Sequence, residues 1–213
     1  MSLPFSLPVE AALIWAIVPC KPFKLAKSRL ASILTPAERQ ALSRKLFQHT
    51  LTVLSVTPGI DRILAVSADD DALELAAGFS AAILREVDTP GLNVSLERAR
   101  DYLRTQPADA LIVIPADLPA MQPASLQPVL AALSDMQTIV LASDRRQTGT
   151  NLMAMPIQYA QPFAFGDHSF MVHCQLAEKT QMNIKILKDS ALAFDLDLPE
   201  DYQFLMENSL YNT

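Results

Sequence analysis

The sequence predicts an α/β fold: a single domain in which a mostly parallel (mixed) sheet is flanked by helices. Apolar runs of strand length alternate with helix-like stretches nearly throughout the chain, as in proteins built from βαβ units. The length of 213 residues suits one domain, and no linker, repeat or low-complexity segment divides it. We assign residues 1–213 to this domain and treat 1–10 as a leader.

The first half of the chain contains four predicted strands and the helices between them. Residues 13–18 form a continuous apolar run, which is typical of a strand buried on both faces. Thr35 and Pro36 provide an N-cap and a first-turn proline for a helix that should end near residue 55, before a Pro-Gly pair. The other elements predicted here are strands at 62–67, 81–84 and 110–114 and helices at 69–77 and 94–104.

The second half continues the alternation and ends in a helix. A proline-rich loop, 115–123, precedes a predicted helix at 124–134, and a polar turn, 143–150, lies between two predicted strands. Pro199 opens a terminal helix. The remaining predicted elements are strands at 138–142, 151–155, 183–187 and 191–195 and a helix at 168–180. Because open α/β sheets bind ligands outside the carboxyl ends of their strands, the polar segments that follow these strands are the candidate site.

Composition and charge exclude several classes of protein. The formal net charge of −6 argues against a nucleic-acid partner, which a basic surface would attract. Cys20 and Cys174 stand far apart, so the sequence indicates neither a disulfide framework nor a paired-cysteine metal site. The N-terminal apolar run follows no basic region and is far shorter than the about 20 residues of a membrane span. We expect a cytoplasmic protein with reduced thiols and no membrane partner.

The segment PCKPFKLAKSRL, residues 19–30, places a cationic loop directly after the first predicted strand. It contains no glycine and is therefore not a P-loop, whose backbone N–H groups hold phosphate. Lys21, Lys27 and Arg29 are the candidate phosphate-binding and catalytic side chains, since lysine offers a point charge and arginine can clamp two oxygens. The alternative is a solvated surface loop, and Lys24 is the cation that fits this alternative best.

Two acidic segments also follow apolar runs. Asp117 lies in IPADLP, where flanking prolines restrict the backbone; its carboxylate could bind Mg²⁺ together with substrate phosphates or cap the next helix. In FDLDLPED the alternation predicts that Asp195 and Asp197 lie on one face of an extended strand. We favour Asp195 as the second metal ligand and Asp197 as a turn or cap residue before the last helix, but the residues alone leave this pair open.

Three further polar turns are candidate substrate sites. Thr148 and Thr150 flank a glycine, so that hydroxyls and N–H groups could converge on an anion, although a hairpin turn explains the same residues. Gly166 and Ser169 belong to FGDHS, which opens a helix N-terminus, where anions bind favourably. Asn93 stands at the start of a helix and could contact a base edge or cap that helix, and its spacing favours the cap.

Taken in order, the segments PCKPFKLAKSRL, GLN, PADLP, DRRQTGTN, FGDHS and DLDLPED resemble the phospholactate guanylyltransferases of coenzyme F-420 biosynthesis. The resemblance covers nearly the whole chain. It implies a Rossmann-like fold similar to the nucleotide-diphospho-sugar transferases and to the enzymes that make molybdenum-guanine dinucleotide. It also implies transfer of a guanylyl group from GTP to the phosphate of 2-phospho-L-lactate, phosphoenolpyruvate or 3-phospho-D-glycerate.

The resemblance further implies roles for individual residues. Three of them would bind the acceptor acid: Thr150, Gly166 and Ser169. Asp117 and Asp195 would hold Mg²⁺. Lys21, Lys27 and Arg29 would match the loop that binds the triphosphate in the family.

Two positions depart from the family pattern, and the function has alternatives. Cys20 replaces a small aliphatic residue, and Gln147 replaces a common glycine beside the expected acceptor pocket. One alternative is nucleotidyl transfer to a sugar phosphate or to molybdopterin, although such relatives usually begin with a glycine-rich loop. Another is a module that binds GTP without turnover. The sequence leaves open which acid is the acceptor and whether the protein forms a homodimer.

Overall fold

A computed structural model describes residues 12–87, 91–159 and 161–208, and the predicted leader lies outside them. The described residues contain a seven-stranded sheet flanked by helices. The strands are β1 (Ile14–Pro19), β2 (Arg62–Ser67), β3 (Ala82–Arg85), β4 (Ala110–Val113), β5 (Thr138–Ser143), β6 (Thr150–Pro156) and β7 (Asn183–Leu187). The helices are α1 (Pro36–Val56), α2 (Asp70–Ala77), α3 (Leu92–Leu103), α4 (Pro123–Leu133), α5 (Ser169–Glu178), α6 (Ser190–Ala193) and α7 (Pro199–Glu207).

The sheet has the strand order β3-β2-β1-β4-β6-β5-β7 and is mixed. Strand β6 is antiparallel to β4 and β5, whereas the other described pairs are parallel. Only the short turn 144–149 connects β5 to β6, and a short turn can join antiparallel strands but not parallel ones. The hairpin interpretation of this turn is therefore correct, and the predicted mostly parallel, mixed sheet is confirmed. The reversal of β6 brings its first residues to the edge where β1, β4 and β5 end.

Both faces of the sheet are buried, which explains the continuous apolar run of β1. Ile14, Ala16 and Val18 pack in one cluster with side chains of α1 and α4. Trp15 and Ile17 point to the other face and pack with side chains of α3 and α5. A strand covered on both sides needs apolar residues at every position rather than at alternate ones.

A third apolar cluster packs two loops against α1 and so fixes the position of two segments that carry predicted site residues. Its buried members come from the loop after β1, from α1, from the segment before α7 and from α7 itself: Leu30, Leu42, Leu46, Phe194, Leu196 and Leu205. Phe194 and Leu196 are 3% and 0% exposed, and they alternate with Asp195 and Asp197. The predicted alternation is thus confirmed for burial, because burying the apolar residues turns both aspartates to the opposite side, but residues 194–197 do not form a β-strand.

The predicted strand at 191–195 is wrong, since Ser190–Ala193 forms the short helix α6. The Asp189 carboxylate accepts hydrogen bonds from the backbone N–H groups of Ala191 and Leu192, at 2.8 and 2.9 Å, and so caps this turn. Such a short apolar run suits a strand or a helix equally well. The Asp-Ser pair before it favours a helix, because aspartate is a common N-cap residue. The other predicted elements begin and end within two residues of the observed ones. Among the described residues, no helix has both the length and the apolar character that a membrane span requires.

Candidate active site

A cleft opens at the sheet edge where β1, β4 and β5 end and β6 begins. Its volume of about 500 Å³ is typical of small-molecule sites, which span ~300–1,000 Å³. Eight of the ten predicted site residues line this cleft: Lys21, Arg29, Asp117, Thr148, Thr150, Gly166, Ser169 and Asp195. Lys27 and Asn93 do not line it. The expectation that the polar segments gather at one edge of the sheet is therefore confirmed.

Lys27 lies beneath the cleft and forms a bridge between two carboxylates. Its Nζ donates to Asp117 Oδ2 at 2.6 Å and to Asp197 Oδ1 at 3.0 Å, and its side chain is only 7% exposed. Burial opposes the ammonium charge, but attraction to Asp117 and Asp197 outweighs burial and raises the pKa of Lys27. The backbone at Lys27 is left-handed, with φ of 55°. In this arrangement Lys27 contacts two carboxylates and does not line the cleft, and its predicted role in phosphate binding stays a prediction.

Asp117 and Asp195 are close enough to influence each other electrostatically. Burial, and then the charge of Asp117, raise the pKa of Asp195 to about 6. The Asn151 side chain opposes this shift by donating to Asp195 Oδ1 at 3.4 Å. Two crowded carboxylates in a partly buried site are stabilised by a cation. Asp117 does not cap α4, whose N-cap is Gln122, so the capping alternative for Asp117 is wrong.

The residues present fit a Mg²⁺ ion that also binds substrate oxygens. Magnesium prefers oxygen ligands and is usually held by one or two carboxylates together with phosphates and water. Within residues 12–87, 91–159 and 161–208, no group of three or more His, Cys, Asp or Glu side chains is arranged to hold a metal ion. Asp117 and Asp195 could hold such an ion only together with oxygens of a substrate or of water.

Asp197 is a counter-ion for the cationic loop, which differs from the predicted turn or cap role. Its carboxylate lies 3.0 Å from Lys27 Nζ and 3.4 Å from an Arg29 nitrogen. Although burial opposes its charge, Lys27 and Arg29 hold the pKa of Asp197 below its ordinary value. The N-cap of α7 is Leu198, and the acceptor at this helix start is the side chain of Asp201 in the first turn, whose Oδ2 accepts from the N–H groups of Asp197 and Leu198 at 3.0 and 2.8 Å. Sequence reasoning missed Asp201.

Arg145 fastens the segment that carries these aspartates. Its guanidinium donates to the buried carboxylate of Asp201 and lies over the Phe194 ring, with 4.5 Å between Cζ and the ring centroid. A guanidinium can bind a carboxylate and an aromatic face at the same time. Arg145 comes from the turn between β5 and β6, so this contact joins two walls of the site.

Thr148 and Gly149 build the turn at the start of β6 around the Asp144 side chain. Asp144 accepts from Thr148 N at 2.8 Å and from Thr148 Oγ1 at 3.1 Å. A Cβ at Gly149 would lie 3.1 Å from Asp144 Oδ2, so the carboxylate leaves little room for a side chain. Gln147 has a left-handed φ of 57°, which explains why glycine suits this position. The Thr148 N–H is thus used within the turn. Contrary to the prediction, it is not available to an anion.

Asn93 supports the wall of the cleft from behind. Its Nδ2 donates to Phe165 O at 2.9 Å, and Phe165 N donates to its Oδ1 at 2.7 Å. The N-cap of α3 is Gly91, so the capping interpretation of Asn93 is wrong. Its amide holds Phe165 in the cleft wall next to Gly166, whose φ of 136° favours glycine. A direct contact of Asn93 with a base edge is not supported by this geometry.

Two further residues of the site were missed in the sequence. Asn151 donates to Leu192 O at 3.0 Å as well as to Asp195, so it ties α6 to β6. His173 is fully buried in α5, and its Nδ1 lies 2.9 Å from Thr150 Oγ1. Asn151 directly follows the Thr-Gly-Thr segment, and this position in the sequence could have indicated that it belongs to the site. A single histidine within a helical pattern gave no comparable signal.

We expect the burial of His173 to make the protein less stable in mild acid. Burial lowers the pKa of His173 from 6.5 to about 4, so between these values the unfolded chain binds a proton that the folded protein excludes. The contribution of His173 to the free energy of unfolding should therefore fall by about 3 kcal/mol as the pH falls from 6.5 to 4, at ~1.4 kcal/mol per pH unit. Urea unfolding of the wild type and of His173→Asn across this range measures the effect.

The comparison with His173→Asn removes contributions that the two proteins share. Asp195, whose pKa is raised to about 6, acts with the opposite sign in the same range, because the folded protein takes up the proton first. The pH dependence attributable to His173 is the difference between the two curves. Parallel curves would show that the burial of His173 does not control acid stability.

Comparison with known proteins identifies the family. The family model described as guanylyl transferase, CofC like, matches residues 14–209. The chain belongs to the CofC-like guanylyltransferase family. The resemblance inferred from the motifs is confirmed, and as a member of this family the protein is a nucleotidyltransferase.

Individual relatives are similar over nearly their whole lengths. The chain is 36% identical over 188 residues to a phosphoenolpyruvate guanylyltransferase of Rubrobacter xylanophilus, covering 88% of this chain and 91% of the relative. It is 37% identical over 190 residues to a phosphoenolpyruvate guanylyltransferase of Sphaerobacter thermophilus, with coverage of 89% and 91%. It is 31% identical over 186 residues to a 2-phospho-L-lactate guanylyltransferase of Methanothermobacter thermautotrophicus, with coverage of 87% and 81%.

Solved structures confirm the fold of this CofC-like chain. A nucleotidyl transferase from Methanothermobacter aligns with a TM-score of 0.66 at 17% identity, covering 93% of this chain and 98% of that one. A 4-diphosphocytidyl-2C-methyl-D-erythritol synthase from Anaerococcus prevotii aligns with a TM-score of 0.63 at 13% identity, covering 94% and 97%. The predicted nucleotidyltransferase-like α/β architecture is therefore correct.

Proposed function

We propose that this protein transfers the guanylyl group of GTP to the phosphate of a small phosphorylated carboxylic acid and releases pyrophosphate. The acceptor is phosphoenolpyruvate, 2-phospho-L-lactate or 3-phospho-D-glycerate, and the product enters coenzyme F-420 biosynthesis. Family membership and the names of the relatives support the guanylyl transfer. The observation in the structure that carries the proposal is that one cleft is lined by two aspartates, by cations of the loop after β1, and by polar residues at the starts of β6 and α5.

The two substrates are both anionic, and the cleft is built to hold anions near one another. Lys21 and Arg29 of the loop after β1 line the cleft and would bind the triphosphate. Thr150, Gly166 and Ser169 also line the cleft and would bind the acceptor acid. Positioning two anions against their mutual repulsion lowers the barrier for a reaction that needs little other help from the protein.

The aspartate pair lines the same cleft, and Asp117 follows β4, which lies between β1 and β6 in the sheet. Asp117 and Asp195 would hold Mg²⁺, which supplies Lewis-acid stabilisation of phosphate charge when it is bound. Lys27 keeps Asp117 oriented through its 2.6 Å hydrogen bond, and Asn151 keeps Asp195 oriented from the other side. Both carboxylates are thereby held in fixed positions before substrate arrives.

The chemical step is a displacement at the α-phosphorus of GTP. An oxygen of the acceptor phosphate forms a bond to the α-phosphorus, and the bond between that phosphorus and the oxygen bridging to the β-phosphate breaks. The electron pair leaves with pyrophosphate, whose developing charge Lys21 and Arg29 would stabilise. The attacking phosphate is already ionised at neutral pH, so the step needs no general base. No catalytic histidine is therefore required at the cleft.

Product analysis tests this function directly. The wild-type protein is incubated with GTP, Mg²⁺ and one of a panel of phosphoacids, and pyrophosphate and product mass are measured. Phosphoenolpyruvate is the first acid to test, because two of the relatives described above carry it in their names. We expect equal molar amounts of pyrophosphate and of the guanylylated acid. Without an acceptor acid, we expect neither product.

Other results would point to the alternative functions. Pyrophosphate release only with a sugar phosphate or with molybdopterin would indicate a different nucleotidyl acceptor. Tight GTP binding without turnover on any acceptor would indicate a binding module. The same panel with ATP and CTP in place of GTP measures how strictly the protein requires guanine.

A further inference from the structure

His173 makes two contacts that fix the position of its single ring proton. Its Nε2 accepts a hydrogen bond from the backbone N–H of Ala164 at 3.0 Å, and its Nδ1 lies 2.9 Å from Thr150 Oγ1. A backbone N–H can only donate, so Nε2 must be the unprotonated nitrogen. A neutral imidazole carries one proton, which is therefore on Nδ1. His173 then donates this proton to the hydroxyl oxygen of Thr150.

The surroundings of His173 keep the ring neutral and fixed. The side chain is fully buried, and burial lowers its pKa to about 4. The Phe165 ring contacts it edge-on, with 4.8 Å between the ring centroids. Phe165 is itself held by both amide atoms of Asn93. The ring is thus packed in one orientation on the inner side of the cleft wall.

The hydrogen bond from His173 affects the cleft because it orients the hydroxyl group of Thr150. Because its Oγ1 accepts from His173, its own hydroxyl proton is directed elsewhere, and Thr150 lines the cleft. Ser169 shows the same pattern: its Oγ accepts from the backbone N–H of Thr150 at 2.9 Å, and Ser169 also lines the cleft. Internal donors therefore occupy both hydroxyl oxygens, which leaves the two hydroxyl protons for a ligand.

We propose that His173 is a positioning residue that holds the Thr150 hydroxyl as a hydrogen-bond donor toward an anionic group of the acceptor acid. With Ser169 set in the same way, the wall presents two donors to a carboxylate or phosphate, which only accept hydrogen bonds. A neutral hydroxyl or amide group on the acceptor gains less from such a wall. The proposal rests on the proposed acceptor site, and its tests separate the two.

The first test reads the tautomer of His173 in the wild-type protein without substrate. Nitrogen-15 NMR of histidine-labelled protein distinguishes a proton on Nδ1 from a proton on Nε2. We expect the Nδ1–H form at pH 7, assigned by its absence in His173→Asn. The Nε2–H form would overturn the proposal whatever the activity of the protein, since Thr150 would then have to donate to His173.

The second test compares variants by steady-state kinetics with phosphoenolpyruvate. His173→Phe keeps a buried ring but has no donor, and we expect KM for phosphoenolpyruvate to rise roughly tenfold or more while KM for GTP changes little. His173→Asn retains an N–H near the Nδ1 position and should recover most of that loss. His49→Phe is the matched control, because His49 contacts the carbonyl of Met121 away from the cleft, and it should keep the wild-type KM.

A double-mutant cycle decides whether His173 acts through Thr150. In a Thr150→Val background, His173→Phe should have no further effect on KM for phosphoenolpyruvate. Independent, multiplied effects of the two changes would overturn the proposal, as would an unchanged KM in His173→Phe alone. If the wild type transfers to no acid, the proposed function fails; the NMR result and calorimetric binding of phosphoenolpyruvate to wild type and His173→Phe then decide on His173 separately.

Discussion

Replacing Asp117 with asparagine is expected to abolish pyrophosphate release at saturating GTP and Mg²⁺. The change keeps the shape of the side chain but removes the charge that would bind the metal ion and that now pairs with Lys27 at 2.6 Å. Loss of metal-assisted charge stabilisation costs several kcal/mol of the barrier, which corresponds to a fall in kcat of roughly a thousandfold. Initial rates of pyrophosphate release measure the effect.

Two controls make this result specific to the proposed metal site. Asp101→Asn changes an exposed aspartate that pairs with Arg104 on the surface of α3, and it should retain full activity. Thermal unfolding of Asp117→Asn should remain cooperative, which excludes a folding defect. A fully active Asp117→Asn protein, or a fully active Asp117→Ala protein, would contradict the proposal that Asp117 is a metal ligand.

Replacing Lys27 with methionine is expected to have the second-largest effect. The ammonium group is buried and joins Asp117 to Asp197, so its loss leaves both carboxylates without their shared partner and close to Asp195. By analogy with a lost oxyanion donor, we expect a cost of about 3 kcal/mol in transition-state stabilisation, or roughly 100-fold or more in kcat. Methionine keeps the apolar stem in place, so packing around the loop is preserved.

Lys24 provides the matched control for Lys27. It belongs to the same loop, and its side chain is exposed, which agrees with the interpretation of Lys24 as a solvated cation. Lys24→Met should retain wild-type kinetics. If Lys27→Met and Lys24→Met behave alike, the buried bridge contributes nothing to catalysis and Lys27 is only a structural residue of the loop.

The sequence was sufficient for most of the fold because buried strands and helix starts have local signals. The apolar run of β1 and the Thr35–Glu38 capping box of α1 are visible without any tertiary information. The helix α6 was missed because its three apolar residues after Ser190 are too few to show a period. The antiparallel direction of β6 follows from the short turn before it. The hairpin interpretation of that turn already predicted this direction.

The candidate site was predictable in its location but not in its internal contacts. Polar residues after strands could be grouped at one edge of the sheet, since topology alone places them there. Which cation of the loop turns inward depends on tertiary packing, so the burial of Lys27 between Asp117 and Asp197 had no local signal. The contact of His173 with Thr150 likewise joins residues from different elements, α5 and β6.

The attack of the acceptor phosphate on the α-phosphorus of GTP is tested most directly by isotope labelling. The wild-type protein is given GTP, Mg²⁺ and the acid identified by the panel, with oxygen-18 in the non-bridging positions of its phosphate. The products are separated and weighed by mass spectrometry. We predict that the guanylylated acid retains all of the label and that pyrophosphate carries none. Label in pyrophosphate, or release of free GMP in place of the adduct, would contradict the account.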